Sequence, residues 1–278
     1  MPPINRHQSA KTTKMLLLGD SGSGKTGSLC SLAAAGYNVR VIDLDNGLDI
    51  CKNLLTSPNS PYKSGAEHFN YITITDPMKI ASGKLIPAKA TVWNRASNLL
   101  YNWKEVKPQD AEETWIGDDF GSVLSWTTNE VLVIDSLTML CTAALNFVLA
   151  MNGRLGGQVQ QNDWFAAQNL IESLLQMLYD DAVKCNVIVC CHITIHGEDG
   201  GAQRGLPLSL GKALSPKIGR YFNSCLMAKS SGQGANVKQK ILTRTNGIVE
   251  LKNTAPLKVL PEYPLETGLV DYFKAVRG

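Results

Sequence analysis

The chain has 278 residues, of which 44% are hydrophobic and 18% charged, the make-up of one large α/β domain or of a domain carrying an insertion. No apolar stretch approaches the ~20 residues of a membrane span, and Met1–Thr13 is polar with no apolar leader segment, so the sequence predicts a protein of the cytoplasm with no membrane partner. Seven cysteines without a CxxC pair argue for reduced thiols, and the net charge of +3 hides an asymmetry. Residues 1–199 hold 15 Lys+Arg against 20 Asp+Glu, residues 200–249 hold 8 against none, and residues 250–278 hold 4 against 4. A fifty-residue acid-free block in an otherwise acidic chain points to a polyanion-facing surface or a solvated basic face.

Residues 1–13 read as a flexible lead, followed by one core over 14–278. Met15–Gly19 is a buried strand, and it runs into Gly19-Asp20-Ser21-Gly22-Ser23-Gly24-Lys25-Thr26, the G-x-x-x-x-G-K-[ST] pattern of a phosphate-binding loop. Glycines let successive N–H groups turn inward toward an anion, Lys25 reaches the β/γ-phosphates, and the Thr26 hydroxyl is a Mg²⁺ ligand. A helix from Lys25 to Ala35 adds the positive end of its dipole. A second strand, Val39–Asp43, ends in the acidic turn Leu44-Asp45-Asn46-Gly47, and a third covers Tyr71–Ile74.

Residues 77–103 carry Trp93, Ala96, Leu99, Leu100 and Trp103 at helical spacing, and an acidic, irregular insertion is expected over about 104–128. The apolar strand Val131–Asp135 ends in a carboxylate suited to a Mg²⁺ site with Thr26. Ser136 follows where many ATPases have a Glu, so Asp45 is the candidate for positioning the attacking water, or else a plain turn residue. Helices are expected over Leu137–Met151 and Asp163–Lys184, the second capped by Asn162 or Asp163 with Phe165, Ile171, Leu174, Leu175, Leu178 and Ala182 on its apolar face. Val187–Cys191 is the next strand, and His192 at its end should face the γ-phosphate. A glycine-rich loop spans Gly197–Gly205, and Cys225–Ala228, Lys240–Thr245 and Gly247–Leu251 read as a short antiparallel extension before a helix at Leu269–Val276. The whole predicts a mostly parallel α/β sheet flanked by helices, with an antiparallel C-terminal extension. Within the basic block, Arg204, Lys212, Lys217 and Arg220 are candidate phosphate contacts for a nucleic acid, with only Tyr221 and Phe222 interleaved for stacking.

Together the loop, Val41–Asp45, Val131–Ser136, Val187–His192 and Gly211–Leu214 resemble the RecA/RadA-like core ATPases, and more closely the phage-encoded RecA-core ATPases of single-strand annealing type, over roughly residues 14–262. The resemblance implies a RecA-like P-loop NTPase fold, ATP and Mg²⁺ as cofactors, and hydrolysis in a homo-oligomer, ring or filament. It also implies single-stranded DNA held by two loops, Asn152–Gln161 with Arg154 and Gly197–Gly211 with Arg204, in DNA recombination or annealing, with a single-strand-binding protein as a further partner. Lys25, Asp45, Asp135 and His192 take the catalytic positions, Asp45 standing where the family usually has Glu and His192 where RecA has Gln; Arg244 or Lys252 is the candidate finger for a neighbour's γ-phosphate. The rival reading is a nucleotide-switched loader or interaction module docking a partner through residues 105–119.

Overall fold

The computed structural model describes residues 12–81, 83–104, 119–197, 203–232 and 236–277. Its centre is an eight-stranded sheet built from β1 (Lys14–Leu18), β2 (Asn38–Asp43), β3 (Phe69–Thr73), β8 (Glu130–Asp135), β9 (Asn186–Cys191), β12 (Ser224–Ser231), β13 (Lys238–Leu242) and β14 (Glu262–Pro264), in the order β14-β13-β12-β1-β9-β8-β2-β3. Pairs from β12 to β3 are parallel, and β13 and β14 add antiparallel strands beyond β12. Strand β1 is buried over all five residues because both faces of the sheet are covered: Leu16 and Leu18 enter one core, Met15 and Leu17 the other.

The helices divide between those faces. The Met15 side holds α1 (Lys25–Ala34), α2 (Asp49–Thr56) and α7 (Gly268–Arg277), whereas the Leu16 side holds α3 (Val92–Tyr101), α4 (Leu137–Met151) and α5 (Gln161–Tyr179). A short α6 (Gly211–Leu214) follows the hairpin β10 (Ile193–His196) and β11 (Arg204–Pro207). A second hairpin, β4 (Met78–Ala81) and β5 (Lys84–Pro87), leaves the sheet after β3, and β6 (Trp103–Lys104) pairs with β7 (Asp119–Gly121).

Several sequence expectations change here. Helix α5 starts at Gln161, with Gln160 as N-cap, and Asp163 closes a capping box from inside the first turn. Phe165 is 66% exposed, and Ala182 lies beyond the helix, which stops at Tyr179. Strands β4 and β5 form a hairpin ahead of α3, and the expected loop Gly197–Gly205 ends inside β11, where Arg204 and Gly205 pair with His196 and Ile195, while residues 198–202 lie outside the described set. Gly247–Leu251 contributes only a bridge from Val249 to Gly205, while β14 had no sequence signal because three residues ending in proline show no period. The lead 1–13 and the insertion lie largely outside the described residues; at the insertion's end Val123 and Trp126 are buried, Trp126 against Trp103 with ring centroids 5.6 Å apart. Arg40 lies over Phe120 and Trp126, 4.0 and 4.6 Å from their centroids, so this end of the insertion docks instead of standing off the core.

Candidate nucleotide site

The loop Gly19–Thr26 joins β1 to α1 at the carboxyl edge of the sheet, where open α/β sheets bind ligands. Gly22 (φ 74°) and Gly24 (φ 95°) take backbone conformations that L side chains rarely adopt. A Cβ on Gly19 would lie 2.7 Å from the Ala228 carbonyl, and one on Gly24 would strike the Leu265 side chain. The concavity therefore depends on glycine at these positions. Lys25 is buried and its Nζ donates to the Gly19 and Asp20 carbonyls at 2.8 and 2.9 Å, so the ammonium is already held over the loop. Ser23 Oγ is buried without a hydrogen-bond partner among the described residues, a donor facing no protein acceptor.

At the first turn of α1, Thr26 Oγ1 donates to Asp135 Oδ2 at 2.7 Å. Burial pushes the Asp135 carboxyl above the usual carboxylate range, the Thr26 bond opposes that, and nearby Asp45 adds to it. A cation beside this oxygen pair would remove the cost of the buried charge. Among the described residues no three His, Cys, Asp or Glu side chains converge as a metal cage. One carboxylate and one hydroxyl suit Mg²⁺, which completes its shell with phosphate oxygens and water. Triphosphate and Mg²⁺ thus fit the residues present.

Asp45 lies at the mouth of the site. Its Oδ1 accepts from Ser136 Oγ at 2.8 Å, and its Oδ2 lies 3.5 Å from His192 Nε2. Ser136 also accepts from the Met139 N–H as the N-cap of α4, so one hydroxyl ties the acidic turn after β2 to the end of β8. His192 is held through its backbone: its N–H donates to Thr138 Oγ1 at 3.3 Å, and its carbonyl accepts from Leu208 N at 2.7 Å. Thr138 in turn donates to the Leu208 carbonyl at 3.0 Å, which links the site edge to the end of the β10–β11 hairpin.

Beside the loop opens a cavity of about 560 Å³, walled by α1, by Ile50 and Leu54 of α2, and by Tyr62, Gln239, Leu265 and Glu266. Tyr62 donates its hydroxyl to the Glu266 carbonyl at 3.0 Å, and Gln239 Nε2 donates to the Gly22 carbonyl at 2.9 Å. Sequence reasoning missed these four residues. They come from a proline- and serine-rich connection and from the last forty residues, and no motif joins them.

The expected DNA contacts are placed differently from one another. Arg154 Nη2 bonds Asp163, which also accepts from Asn152 Nδ2 at 2.9 Å and from the Gln160 N–H at 2.9 Å. Arg204 pairs with Glu250 at 2.7 Å, and Lys217 and Arg220 both pair with Glu172, at 3.8 and 2.8 Å. Lys212 is exposed, with no ion pair among the described residues. Arg244 is exposed and donates to the Pro256 carbonyl at 3.3 Å, and Lys252 is exposed beside the Cys225 bridge.

The phosphate loop follows β1, the Asp135 strand β8 is separated from β1 by β9, and antiparallel strands extend the sheet beyond β12. This is the RecA-like P-loop fold. No family model matches the sequence, and no curated protein matches it. Solved structures with a related outline include the flagellar accessory protein FlaH from Methanocaldococcus jannaschii, at 14% identity and TM-score 0.41 over 92% of this chain and 87% of that one. A KaiC-like protein from Pyrococcus horikoshii matches at 13% identity and TM-score 0.43 over 91% and 84%. The RadB recombinase matches at 12% identity and TM-score 0.46 over 92% and 89%. Among the described residues no helix is long and apolar enough to cross a membrane.

Proposed function

We propose that this chain is a Mg-dependent ATPase of RecA-core type that binds single-stranded DNA as a homo-oligomer, in recombination or strand annealing of the phage type. The observation that carries the nucleotide chemistry is the Thr26–Asp135 contact at 2.7 Å beside buried Lys25. Mg²⁺ bound there would neutralise charge developing on the β- and γ-phosphate oxygens. Lys25 would exchange its two loop carbonyls for phosphate oxygens, the Gly22–Thr26 backbone would orient the chain of phosphates, and Asp45 would hold the attacking water, its carboxylate fixed by Ser136. The cavity beside the loop has the size and apolar lining for base and ribose. His192 would sense the γ-phosphate and pass its presence through Thr138 and Leu208 to the β10–β11 hairpin, on the side where DNA is expected. Arg244 and Lys252, both exposed and neither paired with a carboxylate among the described residues, are the candidate fingers for a neighbouring subunit.

The test is phosphate release with and without oligo-dT. Stimulation by the oligonucleotide, loss of turnover in Lys25→Ala and a fall in Asp45→Ala support the reading; turnover indifferent to both substitutions refutes it. A nucleotide-switched interaction module is the second reading. It is favoured by Asp45, which is one methylene shorter than Glu and already has both carboxylate oxygens facing Ser136 and His192. That reading predicts tight ATP binding with negligible turnover at any DNA concentration.

A further inference from the structure

The β4–β5 hairpin carries chemistry that the nucleotide site does not use. From Pro77 to Lys104 the sequence has five cations, Lys79, Lys84, Lys89, Arg95 and Lys104, and no acid. Lys79, Lys84 and Lys89 are exposed and have no carboxylate partner among the described residues. Four of the five cations expected to hold DNA are paired with Asp163, Glu250 or Glu172. An unpaired ammonium is the better phosphate contact, because no existing ion pair has to be broken first.

The register sorts the hairpin into two faces. Met78 lies opposite Pro87 and Ile80 opposite Leu85, all on one side, while Lys79 and Lys84 share the other with Ile86. Ile86 seats the hairpin on the α4–α5 loop: a Cβ on Gly156 would come within 2.7 Å of its Cδ1. The opposite face is open, with Met78 52%, Ile80 79% and Leu85 67% exposed. A two-stranded ribbon with three large apolar side chains exposed on one face, and with unpaired lysines on its other face and just past β5, needs a partner that is anionic and also offers apolar surface. A single nucleic-acid strand has both, in its phosphates and its unpaired bases.

We propose that the β4–β5 hairpin is a single-strand contact, with Lys79, Lys84 and Lys89 on phosphates and Ile80 and Leu85 against bases. The proposal rests on the single-strand reading above and moves the main ionic contacts off Arg154, Lys217 and Arg220. The experiment is anisotropy of a labelled oligo-dT titrated with the full chain and ATP over a salt series. The triple variant K79Q/K84Q/K89Q keeps the side-chain stems. With about 0.7 counterions released per contact, it should flatten the slope of log K against log salt by about 2 and weaken binding about 100-fold at 0.1 M salt. The pair K217Q/R220Q should change the slope by less than one. I80S/L85S should weaken binding with the slope preserved, and unchanged affinity there overturns the base contact. If the wild-type chain binds oligo-dT and the triple variant matches it in slope and affinity, the hairpin assignment fails while the single-strand reading stands. If the wild type does not bind at low salt, both fail. If the triple variant binds DNA normally but sediments with a different mass, the hairpin contacts another copy of the chain, and the proposal is overturned.

Discussion

Removing the Ser136 hydroxyl probes whether Asp45 works only when held. In Ser136→Ala, Asp45 Oδ1 loses its 2.8 Å donor, and the carboxylate keeps only His192 Nε2, 3.5 Å from its other oxygen Oδ2. A hydrogen bond to a charged group contributes about 1.5–3 kcal/mol, so if that orientation is needed in the transition state, kcat falls about 10- to 150-fold. The same change removes the cap of α4, which costs about 1 kcal/mol and lowers Tm by roughly 2–4 °C. Steady-state turnover combined with a thermal melt separates the two effects, since a lost cap does not act on kcat at a temperature where the protein is folded. The decisive arm is a double-mutant cycle with Asp45→Ala. If Ser136 acts through Asp45, Ser136→Ala has little further effect on kcat in the Asp45→Ala background. An equal loss in both backgrounds refutes the positioning role.

Two further outcomes concern the cavity and the thiols. Tyr62→Ala, which removes a cavity wall and the bond to Glu266, should weaken ATP binding by about 2- to 12-fold, leaving inorganic tripolyphosphate binding unchanged; calorimetry with both ligands checks it. Burial raises Cys185 and Cys225 to about 11 and Cys141 and Cys191 to about 12, so above pH 9 the folded chain keeps protons that the unfolded chain releases. Stability then falls as pH rises, by about 1.4 kcal/mol per pH unit for each thiol, until their folded pKa values are reached. Lys14, lowered to about 8 by burial, works in the opposite direction between pH 8 and its unfolded value and cancels roughly one thiol. Urea midpoints should drop steeply between pH 8.5 and 10.5; a flat profile contradicts the burial of these groups.

The legible parts of the chain were those in which one short segment encodes both element and chemistry. Val131–Asp135 is apolar throughout because both its faces are covered, and its terminal carboxylate must therefore lie at the sheet edge. Leu137–Met151 starts at a serine cap and ends before Asn152 and Gly153, so its limits could be read without a partner. Phe165 was misassigned because helical spacing alone does not tell which side of a stripe's margin meets the core. The β4–β5 hairpin was hidden because its alternation spans only four residues per strand, and its outward face is the apolar one, the reverse of the ordinary pattern. The pairing of Arg154 with Asp163 was out of reach too, since it depends on how the α4–α5 loop folds back onto the first turn of α5. The cavity walls were beyond sequence for the plainest reason: Leu54 and Leu265 are separated by most of the chain.

That separation bears on synthesis. Strand β1 and the phosphate loop leave the ribosome long before β12, yet β1 is hydrogen-bonded on one side to β12, and the cavity beside the loop is finished by Gln239, Leu265 and Glu266. A ligand stabilises only a state that can bind it. Whatever fills this cavity therefore cannot assist folding of the nascent chain until Leu265 and Glu266 have been made, and a chain truncated before Leu265 forfeits that stabilisation even with its loop sequence intact.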